Sequence, residues 1–421
     1  MTSNNRPNKV LIKNIKALAF VDNHSKNWIA GSEMDEVNII NDAYVAIEND
    51  RIVDFGEMQN LHGITDWSNL EIIDADGKMV LPAFCDSHTH LVFAKSREAE
   101  YVDRIKGLTY EEIAAKGGGI LNSAKAMQNA DEDELVEQAL NRLNDVMYHG
   151  TGAIEIKSGY GLTVDAEIKM LRVANRLKEL SPVAIKTTFL GAHAFPAEYK
   201  ENHQGYIDLM INEMLPRVAE EGLAEYVDAF CERGYYSIDE TRQVVEAAAK
   251  YGLKPKLHVN QFTNSGGLQL AVELGAISVD HLEQLGDEEI EVLKSSKTMP
   301  VSLPSCSYFI NIPYTPARRI VDAGLPLAIA SDYNPGTTPS GNMQFLLSLA
   351  TTKQRLTPVE AMNAITLNGA YAMELQNEMG SISVGKKANL IITKEIPSLE
   401  YMAYAFGTNH VDQMILNGKT V

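Results

Sequence analysis

The sequence is poor in cysteine, with only three in 421 residues. Cys85, Cys231 and Cys306 are odd in number and far apart, so they do not form the disulfide framework of a small secreted domain. This pattern favours a reducing compartment. Lys13 and Lys16 interrupt the apolar residues near the N-terminus, so we expect no signal-peptide core there. Together these features predict a cytoplasmic protein.

Long apolar runs and an excess of positive charge are also absent. No stretch approaches the roughly 18 consecutive apolar residues that mark a membrane-spanning helix. The chain has 37 basic and 56 acidic residues, which gives a formal net charge of −19. Nucleic acids and acidic membrane surfaces are polyanions and would be repelled, so neither is expected as a partner. An anionic small molecule would need a local basic residue in order to bind.

The sequence does contain a regular alternation of short apolar, β-branched runs with longer amphipathic stretches. Residues 131–149 have apolar side chains at helical spacing, and Thr357 and Glu360 form a capping box that opens a helix towards Leu375. Eight consecutive strand–helix units are typical of a TIM (β/α)8 barrel. The eight strand-like runs are Met79–Phe84, Ala153–Ile156, Ile185–Phe189, Tyr226–Phe230, Lys256–Val259, Ile277–Val279, Pro300–Leu303 and Leu327–Ala330.

Strand patterns without intervening helices mark the two ends of the chain. Val10–Val21 and Ala43–Phe55 are predicted as antiparallel strands near the N-terminus. Residues 380–385, Asn389–Thr393 and Asp412–Val421 have the same character at the other end. We therefore predict an α/β protein, in which a TIM barrel of residues 79–379 carries a small β-sandwich domain built jointly from residues 1–78 and 380–421.

Functional residues of a TIM barrel lie at the C-terminal ends of its strands. His88 and His90 follow the first predicted strand, and side chains two positions apart on an extended chain point to the same face. His193, His258 and His281 stand at the ends of the third, fifth and sixth strands, so five of the 10 histidines occupy such positions. The other five are expected to be surface or packing residues: His24, His62, His149, His203 and His410.

A mononuclear metal site explains four of the residues at strand ends: His88, His90, His258 and Asp332. Three neutral imidazoles and one carboxylate suit zinc or ferrous iron, and an open position for water would make the site catalytic. Taken singly, His258 could be a core histidine and Asp332 a turn residue. Lys157 raises a rival, a carboxylated lysine that bridges two metals. Because too few further ligands are visible, we expect one divalent metal per chain and a solvated or ion-paired Lys157.

These residues, with longer motifs around them, resemble the amidohydrolase superfamily and, within it, the ring-opening hydrolases of histidine breakdown. The likeness extends from about residue 8 to residue 421. Lys-Ser-Gly-Tyr-Gly and Asp-x-Asn-Pro-Gly are much more specific motifs than His-x-His, which the whole superfamily shares. The matching stretches are residues 86–94, Arg97 with Glu98, residues 117–120, 155–162, 191–193, 279–281 and 331–336.

The resemblance implies that water opens the ring of 4-imidazolone-5-propanoate, an anion, to give N-formimidoyl-L-glutamate. It places the metal on the four ligands named above, and Asp332 and His281 would move protons. It also implies a homodimer. The substrate contacts that it implies are Arg97, Tyr110, Tyr160, His193, Gln261, Asn334, Gly336 and Thr337.

Two of these contacts have roles that their chemistry suggests. The planar guanidinium of Arg97 matches the propanoate carboxylate, although a surface ion pair with Glu98 or Glu100 is the alternative. Gln261 stands where family members carry Glu or Gln, and a carboxamide cannot shuttle protons, so we assign it to recognition of the ring. Gly117–Gly119 is the candidate for a lid, or else a plain flexible turn.

Two other functions remain open at this point. One is another enzyme of the superfamily, such as a purine or pyrimidine aminohydrolase; these commonly have Glu where this chain has Gln261. The other is a non-catalytic barrel that serves as an assembly scaffold. Such a scaffold should have lost metal ligands, whereas all four are present here.

Overall fold

The computed structural model describes residues 8–24, 26–62, 69–108, 112–113 and 118–421. Tyr110 and Gly117, which the sequence singles out, lie outside these residues. The strands are β1 Lys9–Ala19, β2 Ile39–Glu48, β3 Arg51–Glu57, β4 Leu70–Asp74, β5 Lys78–Pro82, β6 Phe84–Asp86, β7 Thr151–Lys157, β8 Ala184–Ala192, β9 Tyr226–Cys231, β10 Lys254–Val259, β11 Ser278–His281, β12 Met299–Ser302, β13 Ala328–Ile329, β14 Leu390–Glu395, β15 Val411–Leu416 and β16 Lys419–Thr420.

The α-helices alternate with the strands through the middle of the chain, and none of those described is long and apolar enough to cross a membrane. They are α1 Glu98–Ile105, α2 Ile120–Asn129, α3 Glu132–Tyr148, α4 Val164–Leu180, α5 His203–Leu209, α6 Leu215–Glu220, α7 Ile238–Ala249, α8 Gly267–Glu273, α9 Asp287–Lys294, α10 Pro304–Ile310, α11 Ala317–Asp322, α12 Met343–Thr352, α13 Pro358–Ile365, α14 Leu367–Tyr371 and α15 Tyr401–Tyr404. The predicted capping box of Thr357 and Glu360 opens α13, with Pro358 in its first turn.

The central sheet is a parallel barrel of eight strands, β6 to β13, that pair in the order of the sequence. The segments that follow the first and last strands close it. The Asp332 N–H donates to the His88 carbonyl at 3.0 Å, and the His90 N–H donates to the Tyr333 carbonyl at 2.8 Å. The predicted TIM barrel is confirmed, and closure itself brings Asp332 beside the two histidines.

The strands from the two ends of the chain form a second, mixed sheet of eight strands. Its long strand β1 pairs with β2 along one edge. Along the other edge it pairs with β4 at Lys9–Lys13 and with β5 at Ala17–Leu18. A β unit built from both termini was predicted, and this sheet has its own apolar core, which includes Ile12, Val45 and Ile392.

The predicted first barrel strand, Met79–Phe84, is wrong as a single element. Lys78–Pro82 belongs to the terminal sheet, where it pairs with β1 and β14, and Phe84–Asp86 alone enters the barrel. Both pieces are buried, so the apolar run shows no break where the chain passes between the sheets. The division into residues 79–379 and the two terminal segments stays a prediction.

Close packing of α14 on β6 gives a test of the fold. A Cβ atom at Gly369 would lie 2.4 Å from the Cys85 carbonyl oxygen, which is backbone and cannot rotate away. We expect Gly369→Ala to lower the free energy of unfolding by roughly 1–3 kcal/mol, measured by urea denaturation.

The matched control is Gly222→Ala, since Gly222 has a φ of +62° and open space around it. That variant should show only the left-handed strain of about 1 kcal/mol. A cost at residue 369 no larger than the cost at residue 222 would contradict the close approach of helix and strand.

Candidate active site

The four predicted metal ligands converge at the C-terminal end of the barrel. The Nε2 atoms of His88 and His90 each lie 3.6 Å from Oδ1 of Asp332. That separation is too long for a good hydrogen bond. It is close to the roughly 3.3 Å between two ligands of a tetrahedral ion with bonds of about 2.0–2.1 Å. The ring of His258 lies next to that of His88, with the centroids 4.4 Å apart.

The chemistry of this group fits a divalent cation. All four side chains are buried, and Nε2 of His88 has no hydrogen-bond partner in the described structure. A buried polar atom without a partner costs roughly 1–3 kcal/mol, which a bound ion would remove. Burial holds the pKa of His88 and of His90 well below the usual value, so both rings are neutral, as ligands must be.

Two buried aspartates orient the ligand histidines. Oδ2 of Asp280 lies 2.6 Å from Nδ1 of His88, and Oδ2 of Asp228 lies 2.8 Å from Nδ1 of His258. A carboxylate at Nδ1 keeps the proton on that nitrogen and leaves Nε2 to bind metal. Neither aspartate was assigned this role from the sequence, where each is one acidic residue within a buried strand.

Lys157 lies beneath this group and is fully buried, so a solvated lysine is wrong and an ion-paired one is right. Its Nζ lies 2.6 Å from Glu155, 2.9 Å from Asp228 and 3.9 Å from Asp280. Although burial opposes it, these carboxylates raise the pKa of Lys157 above the usual value. A second buried ammonium, that of Lys256, also contacts Glu155. The two ammonium groups neutralise most of the charge under the histidines.

Most of the predicted substrate contacts line one pocket above the ligands. The lining includes Arg97, Tyr160, His193, Gln261, Asn334, Thr337 and His281, as well as Phe230, Tyr235 and Phe262, which the sequence did not single out. Gly336 lies under the guanidinium, since a Cβ there would be 2.2 Å from Nη1 of Arg97. The five histidines predicted to be surface or packing residues lie outside this pocket.

Arg97 is 8% exposed, and its Nε and Nη2 donate to Oε2 of Glu100 at 2.9 and 2.6 Å. The ion pair with Glu100 therefore exists, but it is buried and borders the pocket. Glu100 also accepts the N–H of Gly119 at 3.1 Å. One carboxylate thus fixes both the guanidinium and the start of α2.

The loop that carries Tyr160 is held by a carboxylate that the sequence did not reveal. Glu167 accepts the backbone N–H groups of Gly159, Gly161 and Leu162 at 2.9, 2.7 and 2.8 Å. Nδ1 of His193 lies 3.1 Å from the carbonyl of Gly159, so that nitrogen carries the proton.

His193 is a neutral acceptor at the pocket wall. Burial lowers the pKa of His193 to about 3, and with the proton on Nδ1 its Nε2 can only accept a hydrogen bond. The ring stacks on that of His90, with centroids 5.0 Å apart and planes at 13°. An N–H group of a bound ring is a suitable donor for this nitrogen.

Asn334 shapes its own loop. Its Oδ1 accepts the N–H groups of Gly336 and Thr337, both at 2.8 Å, and its Nδ2 donates to the Asp332 carbonyl and to Thr337 Oγ1, both at 2.7 Å. With its amide committed in this way, the side chain fixes the turn that follows the metal ligand.

His281 lies at the end of β11 and is 2% exposed. Beside it lies Glu283, which the sequence predictions did not include. Nδ1 of His281 is 3.4 Å from Oε1 of Glu283. Although burial opposes it, the charge of Glu283 raises the pKa of His281 above the usual value. Nearby, Nε2 of Gln261 donates to Sγ of Cys306 at 3.6 Å.

Comparisons with known proteins identify the family of this chain. The sequence profile of the amidohydrolase family matches residues 79–421. Imidazolonepropionase of Christiangramia forsetii is 58% identical over 412 residues, covering 98% of this chain and 100% of that protein. Imidazolonepropionase of Flavobacterium johnsoniae is 56% identical over 411 residues, covering 98% and 99%.

Solved structures of lower identity share the fold. Guanine deaminase from C. acetobutylicum, with bound guanine, superposes with a TM-score of 0.71 at 15% identity, covering 98% of this chain and 100% of that chain. A triazine hydrolase from Arthobacter aurescens gives a TM-score of 0.72 at 13% identity, covering 98% and 94%. At such identities the likeness concerns the fold alone.

Substitution of a predicted metal ligand should lower the metal affinity more than substitution of the aspartate that supports it. Asp228→Asn keeps the shape but weakens the hold on Nδ1 of His258, and we expect it to lower the affinity for zinc by about 10- to 100-fold. His258→Ala removes a ligand and should lower the affinity further. Competition with a chromophoric chelator measures both.

Asp165→Asn is the control, because Asp165 makes only a surface ion pair with Arg217 among the contacts described. It should bind zinc like the wild type. Unchanged affinity in His258→Ala would remove this residue from the site.

Proposed function

Since the chain belongs to the imidazolonepropionase family of amidohydrolases, we propose that it hydrolyses 4-imidazolone-5-propanoate to N-formimidoyl-L-glutamate, using one divalent metal ion, zinc or iron. The observation that carries this proposal is a single pocket with two kinds of cation site. Three of the four buried metal ligands, His90, His258 and Asp332, line this pocket, and the guanidinium of Arg97 borders it. The substrate has matching groups, a ring carbonyl and a carboxylate.

We propose His88, His90, His258 and Asp332 as the residues that hold the metal. When bound, the ion lowers the pKa of a water molecule towards neutrality and polarises the ring carbonyl. Asp332 accepts the proton of the attacking water as the new C–O bond forms at the carbonyl carbon. His281 in its protonated form is placed to deliver the Nε2 proton to the ring nitrogen as its bond to that carbon breaks, and the proton held by Asp332 restores that form. The opened ring then carries a carboxylate and a formimidoyl group.

The pocket residues orient the substrate for this attack. Arg97 pairs with the propanoate carboxylate, with Tyr160 as a further donor. His193 accepts a ring N–H through its unprotonated Nε2, and Gln261 contacts the ring without exchanging protons. Asn334, Gly336 and Thr337 lie together in one turn and, with Tyr110, complete the proposed substrate contacts.

Lys157 supports a count of one metal. A bridging carbamate forms on a neutral lysine amine, but the Lys157 ammonium is held by Glu155, Asp228 and Asp280. The aspartates in turn serve His258 and His88. Lys157 therefore belongs to an ion-pair network and is not free to form the carbamate that would bridge two metal ions.

We also propose that the enzyme is a cytoplasmic homodimer with neither nucleic-acid nor membrane partners. The net charge of −19 supports the absence of polyanionic partners. The dimer rests on family resemblance.

The function is tested by an assay that measures two products, N-formimidoyl-L-glutamate and ammonia, with a panel of substrates. With 4-imidazolone-5-propanoate and metal-loaded protein, we expect loss of the imidazolone absorbance and formation of N-formimidoyl-L-glutamate. With guanine, adenosine or cytosine, we expect no ammonia. Ammonia release without ring opening would instead favour an aminohydrolase, and no turnover of either kind would favour a scaffold.

Arg97 gives a sharper test of substrate binding. We expect Arg97→Ala to raise KM by roughly 10- to 100-fold, since a charged hydrogen bond contributes about 1.5–3 kcal/mol. Arg97→Lys should recover part of this, because a lysine keeps the charge without the planar fork. Steady-state kinetics on the metal-loaded enzyme measure both.

Arg242→Ala is the matched control, because Arg242 pairs with Glu273 on the surface, away from the pocket. Its KM should equal that of the wild type. If Arg97→Ala leaves KM unchanged as well, the pair with Glu100 is structural and the carboxylate binds elsewhere.

A further inference from the structure

Glu283 stands two residues beyond His281, and its carboxylate faces the Nδ1 atom of that ring. It is 6% exposed. Its Oε1 lies 3.4 Å from Nδ1 of His281 and accepts a hydrogen bond from Ser307 Oγ at 3.2 Å. Its Oε2 has no hydrogen-bond partner in the part of the chain that the structure describes. The carboxylate is thus directed at His281 with half of its hydrogen-bonding capacity unused.

Other buried carboxylates at this end of the barrel are used differently. Both oxygens of Glu167 accept backbone N–H groups, and both oxygens of Glu232 accept hydrogen bonds from the segment at Phe262 and Thr263 or from Arg233. Those residues fix loops. An unpartnered carboxylate oxygen costs folding free energy. Glu283 differs in that its described partners are two side chains, those of His281 and Ser307, and include no backbone N–H group.

The backbone of His281 is also held in an unfavourable conformation. Its φ is +90° and that of Leu282 is +64°, both in the left-handed region. The Thr315 hydroxyl donates to the His281 carbonyl at 2.6 Å and fixes this turn. Strain of this kind persists where the surrounding structure imposes it, and it is concentrated at functional sites. Here it directs the imidazole of His281 into the pocket wall.

We infer that Glu283 is a positioning residue for the ring-opening reaction. It accepts the Nδ1–H of His281, and this fixes the tautomer and the ring orientation that present Nε2 to the reacting atoms. The inference rests on the proposed function and extends it to a carboxylate–imidazole pair. Removal of the carboxylate leaves the substrate contacts and the four metal ligands in place, so the effect falls on the chemical step.

The test uses the metal-loaded enzyme with Glu283→Ala and Glu283→Gln. We expect Glu283→Ala to lower kcat by about 10²-fold, within the range for a positioned acid or base, with KM changed less than about threefold. Glu283→Gln should lose less, because its amide oxygen can still accept the Nδ1–H. Bound metal should remain as in the wild type in both variants.

Glu360→Ala is the matched control, because Glu360 is 3% exposed but caps α13 and pairs with Arg318, and His281 is not among its described contacts. It should lower the melting temperature and leave kcat unchanged. If Glu283→Ala does not fold, the near-isosteric Glu283→Gln carries the test through its kcat, and through the Nδ1–H resonance of His281 in protein with 15N-labelled histidine. That resonance should shift upfield.

Three outcomes would overturn the inference. A kcat within threefold of the wild type in Glu283→Ala would show that His281 needs no partner. A raised KM with unchanged kcat would make Glu283 a substrate contact. Metal lost in proportion to activity would make it part of the metal site, a role allowed by the proximity of His281, Glu283 and Cys306, whose ligand atoms lie within 4.8 Å of one another. Absence of ring opening in the wild type would instead reject the proposed function.

Discussion

The ion-pair network around Lys157 is the interaction on which the active site depends. Its ammonium is the shared partner of Asp228 and Asp280, and each aspartate holds Nδ1 of a different ligand histidine. Fully buried carboxylates are costly without a counter-charge, and removing one partner of a buried pair typically costs 3–5 kcal/mol. The lysine therefore stabilises the two aspartates that hold the proton of His88 and of His258 on Nδ1 and orient both rings, while burial keeps the rings neutral. The proposed metal site is thus supported by charged residues that lie directly beneath the histidines.

The same use of buried carboxylates recurs at the rim of the barrel, with a different purpose. Glu167 collects three backbone N–H groups under Tyr160, and Glu100 ties Arg97 to Gly119. A loop left to solvent would have to be ordered when substrate binds, at a cost of about 1–2 kcal/mol for each residue fixed. Because these loops are ordered by the fold, more of the binding free energy can act at the reacting centre.

Prediction from sequence worked best where a residue type that can bind metal directly follows an apolar, strand-like run. Histidines after apolar strands mark both the barrel and its functional end, so His88, His258 and Asp332 could be brought together before any coordinates were known. Asp228 and Asp280 could not, because their partners lie 30 and 192 positions away and a single acid in a strand has no local signature. Glu167 lies only 5 to 8 positions from the backbone groups it binds, and Glu283 lies two positions from His281, but a single glutamate has no local signature either.

From the sequence, β5 and β6 were predicted as one strand for a different reason. Apolar periodicity reports burial, and Lys78–Pro82 and Phe84–Asp86 are buried in two different sheets, so no polar residue marks the change of partner. The same limit applies to Lys157. Its position after a strand was readable, but its burial depends on three carboxylates that only the closed barrel assembles.

Arg97 shows how the local and global charges of the protein are reconciled. A chain of net charge −19 repels an anionic substrate at a distance, so attraction must come from a cation within the pocket. Glu100 offsets part of that attraction, because it already accepts from Nε and Nη2. Glu100 also fixes the plane of the guanidinium. Because the N–H donors of Arg97 are already ordered, they lose little entropy when a carboxylate binds. In the proposed binding mode, affinity for the propanoate group would be set by geometry more than by charge. That balance suits an enzyme whose product retains the same carboxylate and must leave.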